Sequence, residues 1–169
     1  MKTAHILIAA LALAACAEKE PAPQAAKALS CEAKAGGGAS VENAWIRAQA
    51  DESAMTAAYF SLCNSGMEPI VLTGLSTPVA GMAELHETRR DETGVVSMAP
   101  TGDITLAPGE RVMFEPGGKH AMLMSLAGAI RSGDAATLTL QFADGSSLDI
   151  EAVVKSAAEA ATQGGRDTH

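Results

Sequence analysis

His120, Met122 and Met124 occupy every second position of GGKHAMLMSL, residues 117–126, directly after Pro116. Extended backbone sends alternate side chains to one face, so an imidazole and two thioethers would share a surface there. A second imidazole, His86, lies in ELHETRRDETGVVSM. That run reads as a hairpin with its tip at Asp91-Glu92-Thr93 and Gly94 following, the pattern of a three-residue loop. With Arg90 facing Gly94, Thr88 pairs with Val96 and His86 pairs with Met98, their Cβ atoms about 5 Å apart. A lone histidine on a strand is usually structural, and a lone methionine usually packs a core. Two histidines, each matched to a methionine at strand-compatible spacing, make an N2S2 donor set: His86, Met98, His120 and Met122.

Thioether sulfur is soft, neutral and does not titrate, so this set favours Cu(I), whereas Zn(II) prefers thiolate, imidazole or carboxylate. Imidazole must be neutral to bind, so affinity is expected to fall as pH drops through the imidazole range. Met82 and Glu84 share the strand parity of His86. Met82 reads as packing with an accessory metal role as the alternative, and Glu84 as a solvated rim. Met124 continues the face of Met122 and reads as core, again with an accessory metal role as the alternative. Met55, Met67 and Met113 have no histidine partner in the sequence.

Strands must hold these donors, and short β-branched and apolar runs supply them: VENAWIRAQ, TAAYFSLCN, PIVLTGLSTP, AELHETR, GVVSMAP, DITLAP, ERVMFEP, HAMLMSL, ATLTLQF and SLDIEAVV. Turn signals at Asn64-Ser65-Gly66, Pro108-Gly109, Pro116-Gly117-Gly118 and Asp144-Gly145 punctuate them as in an all-β sandwich or barrel. TLTLQFADGSSLDIEAVV, with Asp-Gly at its centre, is the clearest hairpin. No long amphipathic helix competes.

Residues 1–15 have a Lys, then an apolar run, then small residues, which is a secretory signal too short to span a bilayer. Leu13, Ala14, Ala15 and Cys16 resemble the bacterial lipobox, which implies acylation of Cys16 and a durable membrane anchor; ordinary cleavage near Ala14–Ala15, leaving Cys16 a free or removed thiol, is the alternative. Residues 16–40, rich in Ala, Pro and Gly, read as a tether, 41–155 as one β domain, and 156–169 as a polar tail, either frayed or briefly helical. The formal charge of −8 and the lack of a basic cluster argue against a nucleic-acid partner. Cys31 and Cys63 remain after the signal, and bridging them would add roughly 3 to 4 kcal/mol in the chain-entropy model. A buried strand thiol is the alternative for Cys63.

His86, then Met98 twelve positions on, then His120 and Met122 match the H(M)x10Mx21HxM motif of the periplasmic copper chaperone family PCu(A)C. NAWIRA, AAYFSLCN, AELHET and LAPGERVMFEPGGKHAMLMSL also resemble that family, and the likeness runs from about Val41 to Val154. The bracketed Met of the motif is Glu87 here, on the opposite strand face from His86. The resemblance implies a cupredoxin-like Greek-key β-sandwich holding one Cu(I) per domain at His86, Met98, His120 and Met122. It also implies a non-enzymatic carrier that delivers copper to the CuA centre of cytochrome c oxidase subunit II or to another copper-accepting protein.

The lipobox and the signal place such a protein in the periplasm on a lipid anchor. Ala17 lacks the Asp that often retains lipoproteins in an inner membrane, so the outer membrane is favoured. Three rivals stay open. An electron-transfer cupredoxin needs a Cys thiolate beside its two His. A zinc lipoprotein would use His86, His120 and Glu84 or Glu87. In a purely structural sandwich the histidines would merely pack.

Overall fold

The computed structural model describes residues 31–50 and 55–163, so the signal, Cys16, most of the tether and the end of the tail lie outside the described residues. Among the described residues ten strands form: β1 Ala39–Arg47, β2 Thr56–Asn64, β3 Ile70–Ser76, β4 Ala80–Arg90, β5 Val96–Pro100, β6 Ile104–Leu106, β7 Arg111–Phe114, β8 Lys119–Leu126, β9 Ala135–Phe142 and β10 Ser147–Lys155. One short helix, α1 Ala157–Gln163, follows them. Each of the ten β-rich runs in the sequence becomes one strand. Among the described residues no helix is long and apolar enough to cross a membrane.

The strands hydrogen-bond in the order β5-β4-β8-β7-β2-β1-β10-β9-β3-β6, with β8 also pairing β2. One apolar core draws on both halves of that order: Ala58, Phe60, Leu85 and Leu123 from one, Ile46, Leu72, Leu138 and Val154 from the other. The sheet is thus the Greek-key β-sandwich expected from the sequence. Alternation explains which residues enter it. In β9, Leu138, Leu140 and Phe142 are buried while Thr137 and Gln141 are exposed, the period of a half-buried strand.

Two local devices shape the sheet near the histidines. In β1 the pairing with β2 shifts between Glu42 and Trp45, and Asn43 takes φ 56°, a left-handed conformation that Asn tolerates. The bulge lets Ile46 enter the core while Trp45 pairs with Tyr59 on the outer face, ring centroids 4.4 Å apart. The second device is the loop after β4. Asp91 Oδ1 accepts hydrogen bonds from the Thr93 N–H at 2.9 Å and the Val95 N–H at 3.0 Å. Val95 is thereby held in the loop, and the first pair is Arg90 with Val96.

The opposite end of β2 is stapled. Cys31 and Cys63 form a disulfide with Cα atoms 6.2 Å apart, and the Cys31 N–H donates to Gly109 O at 2.9 Å. The chain is therefore fastened to the sheet before β1 begins. Neighbouring Asn64 is fully buried, and its amide donates to Glu68 O and Leu106 O while its Oδ1 accepts from Gly66 N. Such complete pairing is what makes a buried amide tolerable. Replacing both cysteines by serine removes a cross-link between residues 32 apart in sequence. Urea unfolding is expected to show a loss of about 3 to 4 kcal/mol, and an unchanged midpoint would mean the closed loop contributes nothing.

Candidate metal centre

The antiparallel register of β4 with β8 decides where the sequence-predicted donors go. Leu85 and Ala121 face the core as partners, and the next pair, His86 with His120, lies on the outer face. The two imidazoles are direct cross-strand neighbours with ring centroids 6.0 Å apart and planes tilted by 47°. Glu84 pairs with Met122 on that same face, and Met82 with Met124 beyond it. On the other side of β4, Met98 pairs with Thr88.

The register of the β4–β5 hairpin corrects one expectation. His86 faces Pro100, not Met98, because Asp91 lengthens the loop to include Val95 and moves the pairing by two residues. A shift of two preserves the face, so Met98 lies diagonal to His86, within reach of a long side chain. Met98 is 58% exposed, on the edge strand. Met98, His120 and Met122 line one recess of about 310 Å³, together with Arg47, Tyr59 and Met55. Met55 had no partner in the sequence; only the β2–β8 pairing, Ala57 opposite Met122, brings it there. Met82, 53% exposed, and Met124 do not line this recess.

His120 is nearly buried and its ring is held from behind. Its Nδ1 lies 3.1 Å from Gly118 O, the carbonyl that also accepts the Thr88 N–H at 3.0 Å. The Pro116-Gly117-Gly118 turn, with Gly117 at φ 84° and Glu115 N–H donating to Lys119 O at 2.7 Å, sets that carbonyl in place. His86 does not line the recess. Its Nε2 is 2.9 Å from Glu84 Oε2, and its Nδ1 is buried without a hydrogen-bond partner. Glu84, read from the sequence as a solvated rim, is thus engaged with the first histidine.

Glu87 takes no part in this face. It accepts from Lys119 Nζ at 2.6 Å and from Arg89 Nε at 2.9 Å, and these partners, Lys119 foremost, hold its carboxyl below the usual glutamate range. Among the described residues no three His, Cys, Asp or Glu side chains gather closely enough to hold a metal ion. Beside the two imidazoles on this face lie the thioethers of Met98 and Met122 and the carboxylate of Glu84. A larger recess, about 530 Å³, lies between the start of β3 and the β9–β10 hairpin, and no His, Met or Cys lines it.

Fold and site together define a small β-sandwich domain with a histidine–methionine strand face. The chain belongs to the LpqE-like lipoprotein family: the family model described as "Putative lipoprotein LpqE-like" matches residues 39–154. A protein of Leifsonia xyli subsp. xyli named "Putative lipoprotein Lxx21020" is 30% identical over 118 residues, 70% of each chain. Among solved structures, the copper-bound PCuAC domain from PmoF2 is similar with TM-score 0.58 and 26% identity, over 71% of this chain and 94% of that one. DR1885 from Deinococcus radiodurans is similar in its apo form, with TM-score 0.55 and 29% identity, over 93% and 99% of the two chains. Its Cu(I) form has TM-score 0.53 and 31% identity, over 82% and 89%.

The carboxyl of Glu87 titrates lower in the folded chain than in the unfolded one. Its contribution to stability is therefore full above the ordinary glutamate range and is lost as pH falls through the lowered folded value. Glu87→Gln is expected to cost under about 1 kcal/mol at neutral pH, since the cluster is partly solvated. Denaturation curves of the two proteins should converge in acid, and a gap that persists there would contradict this assignment.

Proposed function

We propose that the chain is a periplasmic Cu(I) carrier, with His86, His120, Met98 and Met122 as ligands to one copper ion. The carrying observation is the direct pairing of His86 with His120 across β4 and β8, with Met98 diagonal to one and Met122 two positions beyond the other. Two imidazoles and two thioethers form a neutral, soft set that suits Cu(I) better than Zn(II). The nearby carboxylates are occupied, Glu84 by His86 and Glu87 by Lys119 and Arg89, which disfavours a zinc site. Both described cysteines are in the disulfide, so neither can supply the thiolate an electron-transfer cupredoxin requires. The copper-bound PmoF2 domain and the Cu(I) form of DR1885 support the same reading.

Carriage needs a ligand that a partner can approach. Met98 is the most exposed of the four and stands on the edge strand β5, while His120 is nearly buried. A partner would meet Met98 first and His120 last, so copper would leave by stepwise exchange of ligands. Exposed Met82, with Met124 opposite, could extend the thioether face as an accessory contact. We assign the recipient to the copper-accepting proteins of the same compartment, the CuA centre of cytochrome c oxidase subunit II foremost. Acylated Cys16 would hold the carrier on the membrane, the outer one favoured.

Anaerobic Cu(I) titration should give one tightly bound equivalent in the wild type. In the Met98→Ala, Met122→Ala double variant that equivalent should be lost to a competing chelator while circular dichroism stays unchanged. One-to-one binding that survives the double change would remove the assignment.

A further inference from the structure

The copper reading names four side chains, but an imidazole has two nitrogens and only one can face the metal. Metal-binding histidines almost always donate the other ring N–H to a carboxylate or a backbone carbonyl, which fixes the tautomer. In this chain both histidines have such a partner, and the two partners differ. Gly118 O, 3.1 Å away, takes Nδ1 of His120 and leaves Nε2 as the free nitrogen of a ring that lines the recess. Glu84 Oε2, 2.9 Å away, takes Nε2 of His86. What remains on His86 is Nδ1, buried and without any hydrogen-bond partner.

A carboxylate can only accept, so in the neutral imidazole the hydrogen on His86 belongs on Nε2 and the lone pair on Nδ1. A buried ring nitrogen with no partner is an uncommon and costly feature that calls for an explanation. A bound soft metal ion supplies one, because the orphaned lone pair becomes a donor.

We infer that Glu84 is a positioning residue for the metal site: it holds His86 as the Nε2–H tautomer, so that His86 binds through Nδ1 while His120 binds through Nε2. The inference rests on the copper reading for its ligand but not for its tautomers, which are read in the metal-free protein. Strand geometry supplies the device, since Glu84 and His86 are two positions apart on one face of β4. The sign of the effect follows. If Glu84 instead blocked the coordinating nitrogen, its removal would tighten copper binding; as a positioning group, its removal loosens it.

Long-range 15N–1H correlation spectra of the metal-free full chain, recorded where imidazole is neutral, read the tautomers directly. The expected spectrum has His86 protonated on Nε2 and His120 on Nδ1. Glu84→Ala should give His86 a mixed tautomer and leave His120 unchanged, and Glu84→Gln, which keeps a carbonyl acceptor, should restore the wild-type pattern. Chelator competition should show Cu(I) affinity lower by about 10- to 100-fold in Glu84→Ala and near wild type in Glu84→Gln. His86 protonated on Nδ1 in the wild type, or Cu(I) bound as tightly or more tightly by Glu84→Ala, would overturn the inference. A wild type with the expected tautomers that binds no copper would sink the copper reading alone.

Discussion

The register of β4 against β8 is the constraint on which both the core and the outer face depend. Leu85 with Ala121 and Ala83 with Leu123 are the inward pairs, and Glu84 with Met122 and His86 with His120 are the outward ones. Side chains alternate with a period of two, so a slip of β4 by one residue would drive His86 into the core and expose Leu85. The hydrophobic effect that buries Leu85 and Leu123 therefore aligns the histidines at no separate cost. Core and site are two faces of one decision.

Much of this was legible because strand alternation is a local signal. Each of the ten strands shows as an apolar or alternating run, most of them bounded by Gly, Pro or Asn, and the shared parity of His86 and Met98 survived an error in the loop. That error has a definite cause. The Asp91 side chain takes the N–H groups of both Thr93 and Val95, and nothing in loop length alone says that Val95 stays outside the strand. The pairing of His86 with His120 was not legible, since it joins strands distant in sequence whose register only the common core sets. The solvated rim expected at Glu84 fits its 46% exposure, but the contact of its carboxylate with the His86 imidazole was not visible in its strand parity. A signal that was present and missed is the sequence Ser156-Ala157-Ala158-Glu159, a capping box. Glu159 accepts from Ser156 N–H at 2.7 Å, and hydrogen bonds from Ser132 and Ser156 hold its carboxyl at about 2.

Strand β2 links two unlike ends of the sandwich. At its far end the Cys31–Cys63 disulfide and the fully paired Asn64 amide lock the loops around Gly109 and Ser65. At its near end, small Ala57 lies opposite Met122 and leaves the recess open beneath Met55 and Met98. Rigidity is built where no chemistry is found, and side-chain freedom is left where a ligand would enter. The arrangement suits a site whose backbone must not move while its thioethers do.

The four side chains differ in how firmly their surroundings hold them. His120 is braced by Gly118 O, a carbonyl that β4 also anchors through Thr88 N–H, so the acceptor that orients its ring is itself fixed to the sheet. His86 is held by one side chain, Glu84, which is itself partly solvated. Met98 is held by no hydrogen bond that a thioether could make and projects from an edge strand. On the copper reading, this order of restraint is also the order of surrender. The mobile thioether yields to a partner's ligand first, the carboxylate-braced imidazole next, and the backbone-braced imidazole last. A site with four equally rigid donors would bind as well and release badly. On that reading, the unequal bracing of two chemically identical rings would favour release over storage.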